Sequence, residues 1–110
     1  MANATLAQIP SLISQRKAFR GNSLFGLAIK RHNADDNSAP YRVGFGGSGM
    51  LNAKERDAFY RDYDKITYVV HSYVTPIAWE TEDGTVHIVD QKFSVTTSKH
   101  QGKVRYGFAI

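Results

Sequence analysis

ITYVVHSYVTPIAWETEDGTVHIVDQKFSVTTSKHQGKV, Ile66 to Val104, is the stretch from which the fold of this 110-residue chain is read. It holds the only Trp and the densest group of hydroxyl and basic residues. ITYVVHSY is apolar on both faces, with Ile66, Tyr68 and Val70 on one and Val69 and Tyr73 on the other. A strand buried on both faces lies at the centre of its sheet. Pro76 cannot donate to a ladder, so this strand should end or bulge near Thr75 before PIAWE resumes. Glu82-Asp83-Gly84 is the strongest hairpin signal in the chain and leads into TVHIVD, where Val86, Ile88 and Asp90 alternate with Thr85, His87 and Val89.

The segment that closes the chain, KFSVTTSKHQGKVRYGFAI, carries the candidate binding residues. Thr96, Thr97 and Ser98 are strong N-cap types, and a helical turn from Ser98 would leave free backbone N–H groups beside Lys99 and His100. Lysine in a first turn opposes the helix dipole unless an anion binds there. Alternatively, the hydroxyls only cap the helix and bond a neighbouring strand. After Gly102, Val104, Tyr106, Phe108 and Ile110 alternate with Lys103, Arg105, Gly107 and Ala109, a period of two that predicts a final strand.

Upstream, Asn52 with Glu55 makes a capping box and predicts a helix over about 52–65. Phe59, Tyr63 and Ile66 form its buried stripe, and Lys54, Glu55, Arg56, Asp57, Arg61 and Asp62 its solvated face. Gly44, Gly46 and Gly49 spell G-x-G-x-x-G, but the helix starts too late for the glycines to open it, which argues for a connector over a dinucleotide site. Tyr41–Phe45 alternates and is read as a strand after the polar loop His32–Pro40. Ser23–Arg31 has the apolar density of a strand. Pro10 suits the first position of a short helix to about Ala18, with Leu12 and Ile13 inward and Arg16, Lys17 and Arg20 outward.

One domain is expected at this length. Without cysteine there is no disulfide framework, no Cys-based zinc site and no thiol chemistry. No run approaches the roughly 18 apolar residues of a membrane span. The N-terminus lacks the long apolar segment of a signal peptide, so the protein is expected in a cytoplasm. The net charge of +4 is unevenly placed: all ten acids lie between Asp35 and Asp90, whereas residues 1–34 and 91–110 carry only bases. If the ends meet in the fold, they share a positive face suited to phosphate backbones or to an acidic partner. His71 and His87 lie on strands read as possible neighbours. Two histidines do not make a metal site, and neither a metal nor another cofactor is expected. No nucleophile elbow accompanies Ser94, Ser98 and His100, and no acid in their segment orients His100. The carboxylates Asp57, Asp62 and Asp64 read as surface groups, so no enzymatic activity is expected.

Two runs, SYVTPIAW and KFSVTTSKHQ, give the chain a resemblance to a family of small proteins of tailed bacteriophages, mostly from actinobacterial hosts. The match spans Tyr68 to Trp79 and Phe93 to Gln101, with Phe93 where that family usually has Tyr; Phe19 to Gly26 and Gly49-Met50-Leu51 sit where it has similar upstream runs. The resemblance implies a cytoplasmic setting in an infected bacterial host and a helical C-terminal segment. It implies no activity.

The architecture expected is α+β: a small antiparallel sheet of about four to five strands, with the main helix and the short N-terminal helix packed on one face. Its core should include Phe59, Tyr63, Ile66, Tyr68, Val70, Ile77, Trp79, Val86, Ile88 and Phe93. The function expected is that of a small non-enzymatic bacteriophage accessory protein that binds a host or phage protein through a basic face and so modulates it. The alternative is direct, sequence-non-specific nucleic-acid binding through phosphate contacts. The residues expected at that face are Arg16, Lys17, Arg20, Thr96, Thr97, Ser98, Lys99, His100, Lys103 and Arg105.

Overall fold

The structure, a computed structural model, describes residues 2–21, 23–28, 47–93 and 95–109, with backbone alone for 2, 3 and 95–98. The expected loop His32–Pro40, the expected strand Tyr41–Phe45, and Gly44 and Gly46 lie outside the described residues. The chain is α+β as expected. A six-stranded sheet keeps sequence order: β1 (Ala2–Asn3), β2 (Phe19–Arg20), β3 (Leu24–Ala28), β4 (Ile66–Ser72), β5 (Thr75–Thr81) and β6 (Val86–Ile88). The strands from β2 to β6 pair antiparallel, and β1 joins β2 in parallel at one edge. Helix α1 covers Ile9–Ser14, α2 covers Ala53–Asp62 and α3 covers Val95–Ala109.

β4 is central, between β3 and β5, and six of its seven residues are buried. Register shifts lie between Ile66 and Tyr68 and between Val70 and His71. A bulge breaks the two-residue alternation of faces. Ile66 accordingly joins Val69 and Trp79 in one core, while Tyr68 and Val70 join Ile77 in the other, so the expected grouping of Ile66 with Tyr68 and Val70 is corrected.

The helices do not share one face. α2 brings Ala58 and Phe59 against Val69, Trp79 and Val89, with the Phe59 ring edge-on to Trp79 at 5.3 Å. α1 and α3 bring Ile9, Ile13 and Val104 against Phe19, Leu24, Tyr68 and Val70 on the opposite face. The Asn52 cap forms as read, its side chain accepting from the Glu55 N–H at 2.9 Å. Of the expected core, Phe59, Ile66, Tyr68, Val70, Ile77 and Trp79 are fully buried, and Tyr63, Val86, Ile88 and Phe93 are half-buried.

The C-terminal segment is helix through Ala109, the alternative that the resemblance implied, and not the strand that its period of two predicts. Val104 and Gly107 are buried and Tyr106 is exposed, a helical pattern that the alternation of apolar residues conceals. A Cβ on Gly107 would come within 2.8 Å of Ile13 Cβ, so this glycine is what lets α3 close on α1. α1 is shorter than expected. It ends in a Schellman motif, with Arg16 N–H to Ile13 C=O, Lys17 N–H to Leu12 C=O, and Arg16 at φ 53° where glycine is usual.

Candidate functional site

Two short segments remote in sequence meet at the end of β4. One is the turn Ser72-Tyr73-Val74-Thr75 that joins β4 to β5, and the other runs from Gln91 into α3. The hairpin closes after Ser72, three residues before the point suggested by Pro76, which pairs with His71 at the bulge. Tyr73 sits at φ 56°, its N–H held by Ser23 C=O at 2.7 Å. Tight hairpin turns reserve such positions for Gly, Asn or Asp, and an aromatic residue there is strained.

His100 is buried, and its Nδ1 lies 2.7 Å from Ser72 Oγ. Burial holds the imidazole below its ordinary pKa and favours the neutral ring. Gln101 donates to Val89 C=O and Gln91 C=O, both at 3.0 Å, which ties α3 to the end of the sheet. The side chain of Gln91 in turn clamps the loop before α2, accepting from Asn52 N–H at 2.7 Å and donating to Met50 C=O at 2.9 Å. Thr75 Oγ1 accepts from Met50 N–H at 2.9 Å. These bonds frame a groove of about 480 Å³ between Met50, the Ser72–Thr75 turn and Gln91–Phe93, with Lys92 on its wall. Met50, Tyr73 and Val74 are 72, 55 and 73% exposed around it, three of the six exposed large hydrophobic residues among the described ones.

The expected binding residues divide into three groups. Lys17, Arg20, Lys99, Lys103 and Arg105 are exposed. Arg16 is engaged: Nε and Nη2 donate to the Glu80 carboxylate at 2.8 and 3.0 Å, Nη1 donates to Ile13 C=O, and the guanidinium lies 4.5 Å from the Phe108 ring centroid. His100 faces inward. Thr96, Thr97 and Ser98 fall inside the first turn of α3, which begins at Val95, so the helix start expected at Ser98 lies one turn earlier. The N–H groups of Lys99 and His100 therefore lie beyond the four unpaired donors of the helix start, and the expected conflict between Lys99 and the dipole does not arise. The ends of the chain do meet, through α1 and α3. The positive face is reduced, however, by the pairing of Arg16 and by Asp90 at 3.6 Å from Arg105.

A second polar cluster spans the α2 face. Glu55 is not on the expected solvated face: its carboxylate, 4% exposed, lies 2.9 Å from His87 Nε2, and the His87 ring stacks on Trp79 at 4.6 Å. Trp79 Nε1 donates to Asp62 Oδ2 at 2.9 Å, and the Asp62 carboxyl is held below its usual range, chiefly by its hydrogen bond from Arg61. This chain of contacts fastens both ends of α2 to the sheet. His71 and His87 are not on neighbouring strands, since β5 lies between β4 and β6. Among the described residues no group of three or more His, Asp or Glu could hold a metal, and no helix is long and apolar enough to cross a membrane. Ser72 and His100 are placed like a nucleophile and its base, but both are buried and no carboxylate among the described residues bonds His100.

Sequence reading missed Met50, Val74 and Gln91 and put Tyr73 on a buried strand face, whereas it is exposed in the turn after β4. A Tyr-Val pair inside a β-rich run carries no turn signal. Residues 8–109 match a family of unknown function, DUF8033, and the chain belongs to that family. No curated protein and no solved structure matches it.

Proposed function

We propose that this member of the family is a small non-enzymatic binding module that docks a partner protein in the groove at the β4–β5 turn and so modulates it. The observation that carries the reading is Tyr73, more than half exposed on a left-handed backbone beside exposed Met50 and Val74. Backbone strain persists where surrounding structure imposes it, and it concentrates at binding and switch sites. Exposed aromatic and Met side chains over a desolvatable hollow are the usual composition of an interface centre. Lys92 on the wall of the groove supplies a cation, which suits an acidic partner surface. In the bacteriophage setting that the two sequence motifs suggest, the partner is a host or phage protein met in the bacterial cytoplasm.

Direct contact with nucleic-acid phosphates is the second reading, carried by the exposed Lys99 and Lys103, neither of which forms an ion pair among the described residues. It requires binding that weakens steeply with salt. A retention experiment tests the first reading. The immobilised chain should retain a partner from host lysate, Val74→Asp should release it, and Asp83→Asn on the far hairpin should keep it. Val74 is 73% exposed, so the substitution should leave the thermal midpoint unchanged. Full retention by folded Val74→Asp contradicts the reading.

A further inference from the structure

The exposed side of α3 carries a glycine that the fold does not require. Gly102 lies in the interior of a 15-residue helix, and a Cβ there would meet no heavy atom within 4 Å. Glycine disfavours a helix interior relative to alanine. Gly107 on the same helix is explained by Ile13 against it, and Gly102 has no such neighbour. At about 100° per residue, Gly102 shares its side of the helix with Lys99 one turn before it and Tyr106 one turn after it, and Lys103 lies on the same flank, one turn on from Lys99. Both lysines are exposed and Tyr106 is 61% exposed. The helix contains no acid at any position. The bare backbone at Gly102 therefore lies open beside two cations and an aromatic ring along one flank, a place where another backbone can approach closely.

We infer that this flank takes an acidic helix of the partner protein, its backbone lying close over Gly102 and its carboxylates, one turn apart, pairing with Lys99 and Lys103. The inference rests on the binding-module reading and names what the partner presents. Two observations favour a protein over a nucleic acid here. Arg16 is consumed by Glu80, and Arg105 has Asp90 near it, so Lys99 and Lys103 are the unpaired cations left on α3 among the described residues, a small number for a phosphate backbone. Exposed apolar surface at Tyr106 also suits a protein contact.

The test is an NMR titration of the full chain with a synthetic alanine-rich helix bearing glutamates at i and i+4, with a duplex oligonucleotide titrated in parallel. The peptide should shift Lys99, Gly102, Lys103 and Tyr106. Lys99→Glu with Lys103→Glu should weaken it about tenfold. Gly102→Gln should lose most of the shift while raising the thermal midpoint, because any side chain favours the helix over glycine. An undiminished peptide shift in Gly102→Gln overturns the inference. So do peptide shifts confined to Tyr73 and Val74, although those leave the groove reading standing. Duplex binding at these residues without peptide binding overturns it in favour of a phosphate ligand.

Discussion

His100 shows at the scale of one residue how the site was misread from sequence. Its neighbours Lys99 and Gly102 are exposed, and in a basic, hydroxyl-rich run a histidine reads as a surface ligand. A helix of 15 residues, however, turns position 100 inward onto Ser72. The consequence is a pH dependence. Burial lowers the folded pKa of His100, so the unfolded chain takes up the proton first as pH falls below about 6.5. The unfolded state then binds more protons than the native one, and stability falls with pH in that window. Thermal unfolding at pH 7 and pH 5 should show a larger loss in the native chain than in His100→Gln; equal losses would show that His100 does not contribute. Below this window the exposed Asp83, held down to about 2 by bonds from Thr81 and Thr85, adds a further loss as it protonates below its unfolded value of 3.8. Arg16 was legible as basic but not as paired, because Glu80 lies 64 positions away and no local pattern links them.

At the scale of elements, the α2 cap, the central strand and the Glu82–Gly84 hairpin were legible because each rests on local chemistry. The Ser72–Thr75 turn and the C-terminal helix were not. β-branched and aromatic residues at 73–75 favour extended structure, and the turn is imposed by pairing of β4 with β5 and by the Ser23 carbonyl. Val104 and Phe108, four apart, satisfy a helix and a strand equally, and the contact of α1 with Gly107 decides between them. Tyr73→Asn tests whether the turn holds strain for function. Asn tolerates the left-handed region, so relief of about 1 kcal/mol should raise the thermal midpoint by about 4 °C or more. The same change should weaken partner retention. A lower midpoint would mean that the Tyr73 ring stabilises the fold more than its backbone strains it.

At the scale of the whole molecule, the uneven charge of the sequence does become spatial, since α1 and α3 lie together on one face of the sheet. What charge counting could not show is that Glu80 and Asp90, from the acidic middle of the chain, reach that face and withdraw part of it. The apolar hollow framed by Met50, the Ser72–Thr75 turn and Gln91–Phe93 emerges only on folding. The two runs SYVTPIAW and KFSVTTSKHQ come together at its rim through the Ser72 Oγ–His100 Nδ1 contact, while Gln101 ties α3 to Val89 and Gln91. The most direct test places a photo-crosslinking amino acid at Val74 and, in a separate chain, at Asp83, and exposes each to host lysate. The account predicts one discrete protein adduct from position 74 that is missing from position 83. Matching adducts from both positions, or a position 74 that crosslinks nucleic acid alone, would contradict it.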